Sequence, residues 1–197
     1  MKNIFKSFLI VLVAFGITSC EESDLQIDQL YDNVDTSGAV LRILDYPADL
    51  VNLSGDAVPN FVEFTFEVQE GDGSFSPNFK EVRYYMSLFK DQDLVNPVLD
   101  ADGNILGEIL IQTISEAQFD VLSDVNGLPQ HTVNIPTQDV VDVYFPTGIL
   151  TGASFIVSRF ELEMTDGRVF TDENAGATLS GPYFESPFFY KTIFLPF

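Results

Sequence analysis

Phe155-Ile156-Val157-Ser158-Arg159-Phe160-Glu161-Leu162-Glu163-Met164, followed by Thr165-Asp166-Gly167-Arg168 and Val169-Phe170-Thr171, is the stretch on which the fold class turns. Glu161 and Glu163 alternate with Leu162 and Met164, so carboxylates share one face and apolar side chains the other, the period of two expected of a half-buried strand. Asp166-Gly167 is a strong two-residue hairpin signal and sends the chain back along its own path. A long strand with a tight return predicts antiparallel pairing.

The same pattern recurs on either side. Val40 to Leu44 predicts a short strand closed by Asp45-Tyr46-Pro47, and Phe64, Phe66 and Val68 alternate with Thr65 and Glu67 in a second. Val82 to Phe89, Ile105 to Ile114, His131 to Ile135 and Phe188 to Leu195 read as further strands, separated by turn clusters such as Glu70-Gly71-Asp72-Gly73-Ser74 and Asp100 to Asn104. Ser115 to Leu122 suggests a helical turn. Thr137-Gln138-Asp139-Val140-Val141 suggests a helix start, with Thr137 as cap and Asp139 where the helix dipole favours an acid.

Nineteen Phe, together with Val, Ile, Leu and Tyr, supply an aromatic and β-branched core. The expectation is an all-β domain, an antiparallel, immunoglobulin-like β-sandwich in the broad sense, with one or two short helical turns. The immunoglobulin disulfide and buried tryptophan have no counterpart, because the chain holds one Cys and no Trp.

The first forty residues carry a different message. Lys2 and Lys6, the apolar run Phe8 to Phe15 and the small-residue stretch Gly16-Ile17-Thr18-Ser19 follow the order of a secretory signal over residues 1–19. The run is too short for the ~20 residues a membrane-crossing helix needs. Ile17-Thr18-Ser19-Cys20 resembles a bacterial lipobox, which implies that Cys20, the sole cysteine, becomes an acylated first residue carrying a diacylglyceryl anchor. An ordinary signal with an incidental cysteine is the alternative. Residues 20–36, with Glu21, Glu22, Asp24, Asp28, Asp32 and Asp35, read as a solvated acidic tether, and residues 37–197 as the single domain. No intramolecular disulfide is available, so stability must come from packing.

Loss of the signal removes Lys2 and Lys6 and no acid, leaving 7 basic against 30 acidic residues, formally −23. A nucleic-acid role is excluded on that balance, since nothing basic faces phosphates.

Catalytic motifs are thin. The one histidine, His131, lies at a strand start without a nucleophile or metal-binding companion, so zinc chemistry and a Ser-His-Asp or Cys-His site are not expected. Glu161 and Glu163 offer a carboxylate pair, more simply explained as a solvated outer strand face than as the facing pair that hydrolysis of glycosides requires. Asp100, Asp102 and Asn104 occupy positions 1, 3 and 5 of what resembles the opening of a calcium loop. Ile105 and Ile111, however, stand where its glycine and bidentate glutamate belong. A tight acidic turn accounts for them as well, and no cofactor is expected beyond the lipid. Tyr183, Phe184, Phe188, Phe189 and Tyr190 gather around Pro182 and Pro187. Tyr183, Phe184 and Tyr190 are the candidates for a ligand or partner contact, and core packing is the competing account.

Ser37-Gly38-Ala39-Val40-Leu41-Arg42, the run Phe160 to Phe170 and Gly181-Pro182-Tyr183-Phe184-Glu185-Ser186-Pro187-Phe188-Phe189-Tyr190 together resemble small Bacteroidota lipoproteins encoded beside SusC/SusD-type outer-membrane uptake pairs. The acidic run after Cys20 resembles the surface-export signal of lipoproteins in that phylum. The resemblance implies a place on the outer membrane facing the cell exterior. It further implies a partner in a TonB-dependent SusC/SusD-type transporter complex and an accessory, non-catalytic role in binding a nutrient, glycan or peptide. It transfers no functional residue. A carboxylate-dependent surface hydrolase and a purely structural envelope lipoprotein are the alternatives.

Overall fold

A computed structural model describes residues 37–52, 61–140, 152–174 and 188–195. Ten strands follow in order: β1 Ala39–Asp45, β2 Leu50–Asn52, β3 Phe61–Glu70, β4 Phe79–Phe89, β5 Ile109–Ser115, β6 Val121–Leu122, β7 Pro129–Pro136, β8 Ser154–Met164, β9 Val169–Phe170 and β10 Phe189–Leu195. They form two sheets, one ordered β1-β3-β7-β6, the other β2-β10-β8-β4-β5 with β9 also paired to β8. The protein is an all-β sandwich.

Alternation explains the layers. In β4, Val82, Tyr84, Met86 and Leu88 point inward and are fully buried, while Arg83 and Tyr85 point outward. In β3, Val62, Phe64, Phe66 and Val68 do the same from the opposite sheet. Their rings interlock across the gap: Phe64 meets Phe160 at 5.1 Å and Tyr84 at 5.8 Å edge-on, and Tyr84 stacks on Phe160 at 4.7 Å. The Tyr84 hydroxyl is satisfied within this core by Ser158 Oγ at 2.9 Å.

The β8–β9 hairpin forms as its Asp-Gly predicts. Gly167 takes φ +90°, a conformation that side chains other than glycine rarely adopt, and Asp166 Oδ1 accepts from the Arg168 amide at 3.0 Å. The long strand of the opening argument, β8, is central, with β4 along one side and β10 then β9 along the other.

Four details depart from the sequence reading. The pairing of β2 with β10 is parallel, whereas the other strand pairs are antiparallel. The strand predicted from Ile105 begins at Ile109, and Ile105 instead bridges Leu99 in the preceding turn. Of the helical turn predicted over Ser115 to Leu122, a single 3-10 turn, Glu116–Gln118, is helical, closed by a capping box between Ser115 and Gln118. Thr137 is not the cap of the next helical turn, Thr137–Asp139. Pro136 holds that position, and the Thr137 hydroxyl is buried without a hydrogen-bond partner, because β7 runs through Pro136 and carries Thr137 inward.

Ser37 and Gly38 enter at the sandwich end that bears the β3–β4 and β8–β9 turns. The Gly71 amide donates to Gly38 O at 2.8 Å, and Arg168 donates to Ser37 O.

Candidate functional site

The outer face of the six-stranded sheet is a lattice of charge. Register places Arg83 opposite Glu161, Glu81 opposite Glu163 and Tyr85 opposite Arg159. Arg83 donates to Glu161 at 2.9 Å, to Glu163 at 2.5 Å and to Glu81 at 2.9 Å, while Lys80 reaches Glu163 at 2.7 Å. Arg159 forks onto Glu108, with Nε to Oε1 at 2.7 Å and a terminal nitrogen to Oε2 at 2.6 Å, and its other terminal nitrogen reaches Glu161 at 2.8 Å. Its guanidinium also lies 4.5 Å from the Tyr85 ring centroid.

Glu161 and Glu163 are thus on the outer face as alternation predicts, but they are paired rather than merely solvated. Burial pushes the Glu161 carboxyl up, and the hydrogen bonds from Arg159 and Arg83 outweigh it, so the group ends below its ordinary value. Hydrogen bonds from Lys80 and Arg83 lower Glu163 likewise. Two carboxylates held ionised in this way are poor proton donors, since a catalytic acid needs its pKa raised.

Beside the lattice opens a cleft of about 740 Å³. Its floor is β8 at Arg159 and Glu161, and Phe89 at the end of β4 adds an apolar flank. One wall is the β4–β5 connection at Leu106 and Glu108, and the other is Phe189 with the turn Thr171 to Glu173. Nothing in the sequence joins these segments. The sheet order does, by seating β10 and β9 on one side of β8 and β4 with β5 on the other.

The remaining candidates are placed as follows. Cys20, Tyr183 and Phe184 lie outside the described residues. Phe188 is fully buried in the core, and Phe189 is half-buried in the cleft wall. Tyr190 is half-buried against Phe64 and Tyr46, at 5.8 Å and 5.3 Å between ring centroids, and its hydroxyl donates to Asp49 Oδ1 at 2.8 Å. Asp100 spends its carboxylate inside its own turn: Oδ1 accepts from the Asp102 and Asn104 amides at 2.9 and 2.8 Å, and Oδ2 from Asn104 Nδ2 at 3.2 Å. The Asn104 amide leads these bonds in holding Asp100 below its ordinary value. Among the described residues no group of three or more His, Cys, Asp or Glu is placed to hold a metal. His131 Nδ1 sits 2.8 Å from the Gln118 carbonyl, so the proton belongs on Nδ1, and the ring packs beside Phe119 at 5.4 Å. It ties β7 to the 3-10 turn.

A buried acid escaped the sequence reading. Glu67 alternates with core residues and sits on the outer face of the four-stranded sheet, yet it is fully buried, held by Arg42 at 3.0 Å and by Asn126 Nδ2 at 3.0 and 3.2 Å. The turn from Ser123 to Leu128 folds over it.

No family model matches the chain, and no curated protein sequence does. Among solved structures the chain is similar to CopC from Methylosinus trichosporium OB3b, at 14% identity over 79% of this chain and 94% of that one, with a TM-score of 0.26. It is similar also to the PmoD soluble domain from Methylocystis sp. ATCC 49242 (Rockwell), at 9% identity over 82% and 94%, with a TM-score of 0.30. At such TM-scores neither likeness carries a functional argument.

Proposed function

We infer that the chain is a lipid-anchored surface lipoprotein of the outer membrane whose sandwich serves, without catalysis, as an accessory subunit that binds a nutrient or docks on a SusC/SusD-type uptake complex. One observation carries this reading: the sole cysteine, Cys20, closes a small-residue stretch directly after a secretory apolar run and directly before an acidic tether. Two acyl chains on that residue give anchoring that a single chain does not. The resemblance to lipoproteins encoded beside such uptake pairs supports the partner. The pairing of Glu161 and Glu163 with arginines supports a binding role over hydrolysis, because neither carboxyl is free to act as acid or nucleophile without breaking an ion pair.

The experiment is fractionation and protease shaving of intact cells expressing wild type and Cys20→Ala. Wild type is expected in the membrane fraction and open to protease, the variant released and unlipidated. Equal membrane retention of the two proteins would overturn the anchor, and full protection of wild type from protease would overturn the outward orientation.

A further inference from the structure

We propose that the cleft on the outer face of β8 receives the ammonium or guanidinium end of a cationic ligand with an apolar stem, the chemistry of a lysine or arginine side chain in a peptide. This deepens the binding role proposed above and rests on it, by choosing a basic peptide over a neutral glycan.

The volume, about 740 Å³, falls within the ~300 to 1,000 Å³ usual for sites that take small ligands. The charge at the floor is already spent. Arg159 gives both edges of its guanidinium to Glu108 and Glu161, so it has no donor pair left to offer an incoming carboxylate or phosphate. The wall turn is the reverse case. Asp172 and Glu173 line the cleft and form no ion pair among the described residues. Asp172 Oδ1 is moreover buried with no hydrogen-bond partner.

An orphaned carboxylate oxygen has lost water and gained nothing in exchange, a state that proteins rarely leave uncompensated. A cation bound at this turn would supply the missing charge to two carboxylates, half-buried Asp172 and exposed Glu173, that line the cleft. The apolar surface beside it is suited to the stem: Phe89 and Phe189 flank the opening half-buried, with Leu106 on the β4–β5 connection. Ring faces attract ammonium and guanidinium groups and pack against methylene chains. The field of a mature chain at −23 gathers cations and repels anionic competitors.

The test uses full-length protein extracted from membranes in neutral detergent and titrated calorimetrically with four probes: blocked Gly-Lys-Gly and Gly-Arg-Gly peptides, the blocked Gly-Glu-Gly peptide and maltohexaose. The two basic peptides should bind saturably and the other two should not. Asp172→Asn with Glu173→Gln should weaken the basic peptides at least tenfold while leaving Tm equal or higher, because it removes two carboxylates that have no ion-pair partner among the described residues. Phe89→Ser probes the apolar wall independently and should weaken the same peptides. Asp72→Asn with Asp166→Asn changes the net charge equally at exposed turns outside the cleft and should leave affinity within twofold. Equal weakening by that control pair would reduce the effect to bulk charge and overturn the site. Binding of maltohexaose alone, or no binding of either basic peptide, would overturn the ligand class. Membrane retention is not read by this titration, so the anchor and the cleft can fail separately.

Discussion

The two faces of β8 are both withdrawn from water, by opposite chemistry. Ile156, Phe160, Leu162 and Met164 face inward at 0 to 1% exposure, with Phe160 between Phe64, Phe66 and Tyr84. Arg159, Glu161 and Glu163 face outward, each half-buried, each covered by a partner of opposite charge. The inner face gains by dispersion and exclusion of water, and any lost volume is felt at once. The outer face gains little net energy, because desolvating each ion offsets much of the attraction to its partner. Stability therefore resides inside, and what the outer lattice secures is the arrangement of charge around the cleft.

The sharpest way to break this comparison is Phe160→Ala. It should cost about 3 to 5 kcal/mol and lower Tm by roughly 10 °C or more, read by thermal and urea unfolding. A loss under 1 kcal/mol would mean that the aromatic cluster is not the packed centre of the sandwich.

Arg83→Met tests the other face. It takes from Glu81, Glu161 and Glu163 their shared cation, leaving Glu161 to Arg159 and Glu163 to Lys80, and with partial exposure screening the result it should cost about 1 to 2 kcal/mol at neutral pH and low salt. The pH dependence has a definite sign. Glu161 and Glu163 are lowered in the fold, so the stability they contribute is complete above their ordinary value of 4.5 and drains away as pH falls through their lower folded values. The gap between wild type and Arg83→Met should accordingly narrow below about pH 4.5. A gap that stays constant from pH 7 to pH 3 would assign the loss to the packing of the Arg83 stem instead.

Tyr85→Leu should have the smallest effect, about 0.5 to 1 kcal/mol, through loss of the ring beneath Arg159. A double-mutant cycle with Arg159→Met measures the coupling, and a coupling of zero would remove the cation–π contact from the account.

Much of the sandwich was legible because period-two alternation survives wherever one sheet face is buried. Phe155 to Met164 and Phe64 to Val68 declared their inner residues, and Val82 to Phe89 declared itself a strand. Leu50–Asn52 did not: three residues cannot display a period, and their parallel partner β10 begins well over a hundred positions later. Thr137 misled because a threonine before an acid looks like a cap, while its buried position follows from the end of β7. Glu67 looked like a solvated residue, and only the fold of the distant Asn126 turn covers it. The charge lattice was half legible. Alternation put Glu161 and Glu163 on one face, but their arginine comes from β4, and the register that brings Arg83 across is a tertiary fact. The cleft was not legible at all, since its floor and walls come from five separate segments.

The entry of the chain at Ser37 has a mechanical consequence. β1 starts at that end and runs the length of its pairing with β3, antiparallel, from Ala39 opposite Glu70 to Asp45 opposite Thr65. A load arriving through residue 36 and resisted at the far end of the sandwich acts along the strand, at right angles to the hydrogen bonds that join β1 to β3. Those bonds are strained together in shear, and none can be peeled open first. The Arg168 contact to Ser37 O and the Gly71 contact to Gly38 O tie down the two residues through which the load arrives. Strands loaded in shear share the force among all their bonds, so β1 and β3 part together rather than one bond at a time.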